Sequence, residues 1–296
     1  MIDIRRMDVI EKVLQDLYEN RQLLKTEKSD RTDGDERSIS SLDYDYSLGE
    51  KLKNELMELV FYFETHQRAL KENERLAAFF AIRLAGDLAQ KLADLFDGIE
   101  EAIDKVMYRD PRFSWPSIPE GYQLPQKLLT AGADALKCTA DFGIAGNGDV
   151  LVLWENAEGK IEVIKKDSVD VIRKTFIDLA ASIGVSIEDE HKILNENNQF
   201  EWYIDYAESM GEQLEKDLDR FLLSFEVHRI AIQNDDPLAA YITLMDAGTY
   251  AQRVANLFLD IKDEIDKVTV LDKRFSWPVI PDGYQLPEHF AINPQR

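Results

Sequence analysis

The stretch Arg112-Phe113-Ser114-Trp115-Pro116 returns as Arg274-Phe275-Ser276-Trp277-Pro278. The same offset of 162 carries Gly121-Tyr122-Gln123-Leu124-Pro125 onto Gly283-Tyr284-Gln285-Leu286-Pro287. Upstream, without a gap, it pairs Ile103-Asp104-Lys105-Val106 with Ile265-Asp266-Lys267-Val268, and Phe63-Glu64 and His66 with Phe225-Glu226 and His228. It also aligns Asp43-Tyr44 with Asp205-Tyr206, and Asp8-Val9-Ile10 with Asp170-Val171-Ile172. Roughly a third of the aligned positions are identical along a whole unit, which marks an internal duplication. Whatever one copy folds into, the other must accommodate.

Hydrophobic spacing predicts helices. Ile10, Leu14 and Leu17, matched by Ile172, Phe176 and Leu179, fall on one helical face. A second helix carries Leu52, Leu56, Leu59, Phe63 and Leu70, matched by Leu214, Leu218, Phe221, Phe225 and Ile232. A third runs through Ala78, Ile82, Ala85, Ala89, Leu92, Phe96, Ile99 and Ile103, with a counterpart from Ala240 to Ile265. Steps of three and four persist throughout, so these are long amphipathic helices packed side by side. The expected fold is mainly all-α: a tandem duplication of a helical-bundle unit, with residues 45–110 and 207–272 related by an approximate twofold axis.

Proline ends the third helix in this reading, at Pro111 in the first copy and at Pro116 or Pro278 in both. The clasp that follows is rich in proline and aromatics, and its Trp and Tyr are expected to fold back over the open end of the bundle. Asp149–Trp154 and Lys160–Ile164 are Val/Ile-rich and flank a turn, which predicts one β-hairpin acting as a bridge between the copies. The resulting division is residues 1–134 for the first helical unit, 135–162 for the linker and 163–296 for the second unit.

Charge narrows the partners. With 57 acidic against 35 basic residues the net charge is −22, which repels nucleic-acid phosphates and anionic lipid and attracts basic proteins. The single cysteine, Cys138, excludes an internal disulfide framework and a cysteine-rich zinc site. Asp8 and Glu11 follow the opening Met1-Ile2-Asp3-Ile4-Arg5-Arg6 where a secretory signal would have an apolar run. No stretch approaches the ~20 apolar residues of a membrane span. A cytoplasmic protein without cofactor or metal is expected.

No motif spells out a reaction. His66 and His228 sit on the apolar stripe, and the neighbouring glutamates are two positions away, on another face of the helix. The spacing of a helical metal pair is absent. Both histidines read as buried and bonded to a core partner, with Asp43-Tyr44 and Asp205-Tyr206 as candidates for it. Those two pairs read equally as a helix entry cap and a packed ring. Gly143 and Gly146-Asn147-Gly148 precede a strand, so no phosphate-cradling loop follows. A Gly-x-Ser-x-Gly elbow is missing.

The copies diverge where the first helix meets the second. Residues 20–42 and 182–204 share nothing at the common offset. The first loop carries Asp30, Asp33, Asp35 and Glu36; the second carries Glu188, Asp189 and Glu190, then Phe200, Trp202 and Tyr203. Acids steer a basic partner and aromatics anchor it, so these residues are the expected contacts, with the second loop dominant. The expected function is a non-enzymatic binding protein that neutralises a basic protein, such as a bacterial immunity protein against a toxin. The alternatives are a phage or viral inhibitor mimicking nucleic-acid charge, and a duplicated helical enzyme using Asp43/His66 and Asp205/His228.

Overall fold

The computed structural model describes residues 2–19, 47–111, 113–137, 149–156, 158–187 and 202–291. The chain is mainly α-helical. Among the described residues seven α-helices form: α1 (Met7–Glu19), α2 (Leu48–Lys71), α3 (Arg75–Asp104), α4 (Gln126–Lys137), α5 (Lys166–Ser182), α6 (Met210–Gln233) and α7 (Pro237–Asp266). The long pairs α2/α3 and α6/α7 begin and end at positions related by the repeat offset.

Local chemistry sets those boundaries identically. Ser47 and Ser209 cap α2 and α6, accepting from the backbone N–H of Glu50 and Glu212 at 3.3 and 3.1 Å. The first helix of each repeat holds that start in place: Asp170 accepts from Ser209 Oγ and Met210 N, each at 2.7 Å, and Asp8 accepts from Ser47 Oγ. Asn73 and Asp235 turn the chain into α3 and α7 with φ of 62° and 53°, a left-handed conformation that short polar side chains tolerate. The third helices do not need proline to stop. Both widen into a π-helical turn, Lys105–Arg109 and Lys267–Leu271, closed by Asp110 and Asp272 N–H bonds to the Lys105 and Lys267 carbonyls. The second copy has Lys273 where the first has Pro111.

Both repeats share one hydrophobic core. Its centre is α3 packed along α7, where Phe96 and its counterpart Phe258 stack at 6.4 Å between ring centroids. A Cβ on Gly86 would meet Ile265, and one on Gly248 would meet Ile103. These contacts exchange under the offset of 162 residues. Each such fully buried Phe or Ile contributes about 1.5–3 kcal/mol.

The expected hairpin forms from β2 (Val150–Glu155) and β3 (Ile161–Lys165), but it is more than a bridge. A third strand, β1 (Ile2–Asp3), pairs parallel to β2 on the edge opposite β3. Val152 therefore lies between Ile2 and Ile164, which are counterparts in the two repeats. Val150 to Trp154 are all buried, so β2 belongs to the core.

The clasps cross over. Trp115, from the first repeat, stacks on Tyr241 of α7 at 5.3 Å; Trp277 stacks on Phe79 of α3 at 5.2 Å. Each indole N–H donates to a carbonyl of its own repeat, Val106 at 3.2 Å and Val268 at 2.7 Å. After the first clasp, α4 lies on α6, and Leu128 packs against Val227, Ala231, Ala239 and Ala240. Its counterpart Phe290, in the short 3-10 turn Glu288–Phe290, packs against Ala69, Ala77 and Ala78. The rings cover a bundle end as expected, but it is the other repeat's.

Candidate functional site

The repeated histidines join helices. His66 Nδ1–H donates to the Ala78 carbonyl at 2.9 Å, and His228 Nδ1–H donates to the Ala240 carbonyl at 2.8 Å. A carbonyl can only accept, so the proton is on Nδ1. Burial pushes both rings down to about 4, against a weaker opposing pull from these bonds. Each ring is therefore neutral at pH 7 and ties α2 to α3 or α6 to α7. Asp205 is exposed and accepts from Ala207 N at 2.9 Å, so it is not the partner of buried His228. Asp43 and Tyr44 lie outside the described residues.

The predicted contact residues separate. Glu188, Asp189, Glu190, Phe200, Asp30, Asp33, Asp35 and Glu36 lie outside the described residues. Trp202 is corrected: it is 1% exposed, a core residue rather than a surface anchor. Lys267 Nζ sits 4.2 Å from its ring centroid and Tyr206 meets it edge-on at 6.3 Å. Tyr203 is 41% exposed.

Beside them lies a group the sequence reading missed. Glu264 of α7 is buried and accepts from Tyr203 N at 2.6 Å, Ile204 N at 3.3 Å and Tyr206 Oη at 3.2 Å. Burial raises its carboxyl to about 7, although these hydrogen bonds and Lys267 oppose the shift. The counterpart of Glu264 is Ala102, so this anchor exists in the second repeat alone. A glutamate beside the apolar stripe residues Ile261 and Ile265 was the available signal.

The last turns of α3 carry a run of acids. Asp94, Asp97, Glu100, Glu101 and Asp104 follow one another at helical spacing, where the second repeat has Asn256, Leu259, Lys262, Asp263 and Asp266. Burial raises Asp97 and Glu100 above the usual carboxylate range, and their acidic neighbours raise them further. Arg109 reaches Glu101 and Asp104 only at 4.0 and 3.9 Å, from an exposed position where ion pairing is weak.

Among the described residues, no group of three or more His, Cys, Asp and Glu side chains could hold a metal ion. No described helix is long and apolar enough to cross a membrane. Residues 169–279, from within α5 to just past the Trp277 clasp, match the profile of a family of unknown function (DUF6853). No curated protein and no solved structure matches the chain.

Proposed function

We propose that this is a non-enzymatic binding protein whose acidic helical body neutralises a basic protein in the cytoplasm, as an immunity protein neutralises a toxin. The observation that carries the reading is the α3 stripe, where five acids follow one another and Arg109 meets two of them only at 4.0 and 3.9 Å. Such a surface gains most from a partner that brings cations, and the field of a −22 chain speeds the encounter. Tyr203, held by Glu264 through its backbone, supplies an exposed aromatic on a fixed segment.

The test is capture from native lysate on immobilised protein at low and high salt, followed by mass spectrometry. The parent is expected to retain basic proteins at low salt and lose them at high salt. Neutralising Asp94, Asp97, Glu101 and Asp104 together, as Asn or Gln, should slow association by about tenfold or more. Retention of the same partner by the neutralised variant at every salt concentration would remove the stripe from the interface, and a captured set without basic proteins would end the reading.

A further inference from the structure

A cavity of about 620 Å3 opens between the two repeats, walled by α2 of the first and by α5 and the clasp of the second. Its walls are apolar, built from Leu70, Leu179, Ile183, Phe275 and Trp277. Its rim is cationic: Lys71, Arg75, Lys174 and Arg274 are all exposed there, with Asp178 as the one acidic residue of the lining. In a chain of net charge −22, so basic a mouth runs against the general composition. We propose that this cavity binds a small amphipathic anion, a carboxylate or phosphate carried on an apolar body.

The cations are not all engaged in holding the fold. Arg274 is paired with Asp272 at 2.7 Å, and Arg75 donates to the Ser276 carbonyl, so these two shape the rim. Lys71 and Lys174 have no ion-pair partner among the described residues. Comparison of the repeats shows which of these residues are particular to one copy. Histidine, the clasp tryptophan and the lysine of the first helix recur, as His66/His228, Trp277/Trp115 and Lys174/Lys12. Lys71 and Arg75 do not recur; Gln233 and Pro237 stand in their places. The bundle can therefore be built without these two charges, which are particular to this cavity, and Lys174 adds to its positive sign.

The cavity's size lies within the roughly 300–1,000 Å3 of small-molecule sites, and apolar walls with a few convergent polar groups are the usual lining. His66 contributes to the wall, and its Nε2 is buried without a hydrogen-bond partner. The Trp277 N–H is committed to Val268, so that residue offers the cavity ring surface rather than a donor. Binding follows from both halves of the ligand: the body leaves water against the walls while the head group meets Lys71 and Lys174 at the rim.

Calorimetric titration of the full chain tests this with decanoate, decyl phosphate, decanol and decyltrimethylammonium, all below micelle-forming concentrations. Decanoate or decyl phosphate is expected to bind at one site and to change Trp277 fluorescence, while the neutral and cationic ligands bind at least tenfold more weakly. Lys71→Glu with Lys174→Glu should weaken the anion tenfold or more with an unchanged circular dichroism spectrum. Lys160→Glu, on the hairpin turn, should leave affinity unaltered. Absence of anion binding, equal binding of anion and cation, or full affinity in the double variant would each overturn the proposal.

Discussion

Gly86 faces Ile265 across the central helix pair: a Cβ there would stand 3.2 Å from the isoleucine γ2 methyl, and Gly248 meets Ile103 in the same way at 3.3 Å. Glycine normally weakens a helix by about 1 kcal/mol, so its presence at these two equivalent positions reflects close approach. Gly86→Val and Gly248→Val should each destabilise the fold by about 1–3 kcal/mol, from forced overpacking. Denaturant melts that place both variants within experimental error of the parent would show that the interface yields freely.

Trp202 is a core side chain, so its removal is a stability event. Trp202→Ala should cost about 3–5 kcal/mol through cavity formation. A Tyr203→Ala variant, changed at a 41% exposed position, should melt close to the parent. Equal losses in a paired thermal melt would contradict this division.

His66 and His228 are held at about 4 against an ordinary 6.5. Between these values the unfolded chain binds two protons that the folded chain refuses. The histidine contribution is therefore complete above pH 6.5 and is lost as pH falls through about 4. His66→Gln should lower stability at pH 7 by about 1–3 kcal/mol and flatten the acid decline. Urea melts at pH 7, 6, 5 and 4 measure both effects, and an unchanged acid slope would show that the ring titrates freely in the fold.

Glu264 works in the opposite sense. Its folded carboxyl titrates at about 7 against an ordinary 4.5, so the folded chain keeps a proton that the unfolded chain releases. That contribution is complete below pH 4.5 and is lost as pH rises through about 7. Glu264→Gln retains an acceptor for the Tyr203 and Ile204 N–H groups without the charge. It should gain on the parent as pH rises from 5 to 8, and a constant difference over that range would contradict the assignment.

Much of the fold was legible because α2, α3, α6 and α7 each bury one face, and a single buried face leaves a three- and four-residue rhythm. The two-residue strand β1 is too short to show any period, and so the hairpin read as a free bridge. Helix α4 escaped notice because the repeat weakens there: Leu128 is matched by Phe290, but Gly132 is matched by Pro294. The repeat identified the Trp115 and Trp277 clasps without saying which bundle each would cover. Trp202 looked like a surface anchor among acids, since Lys267, whose ammonium covers its ring, lies far along the chain. Composition around a residue cannot reveal a lid supplied some sixty positions later.

The crossed clasps make each half of this chain the lid of the other. Trp115 and Leu128 finish a surface built from α6 and α7, while Trp277 and Phe290 finish one built from α2 and α3. Severing the backbone between Lys137 and Asp149 should therefore leave two fragments that are individually incomplete and mutually complementary. Co-expressed, they are expected to elute as a one-to-one heterodimer by light scattering and to melt in a single transition. Two fragments that fold separately as stable monomers would refute this. The intact backbone then acts as a tether, keeping each half at an effective concentration on the order of millimolar at its mate, while the interlocked ends fix the geometry.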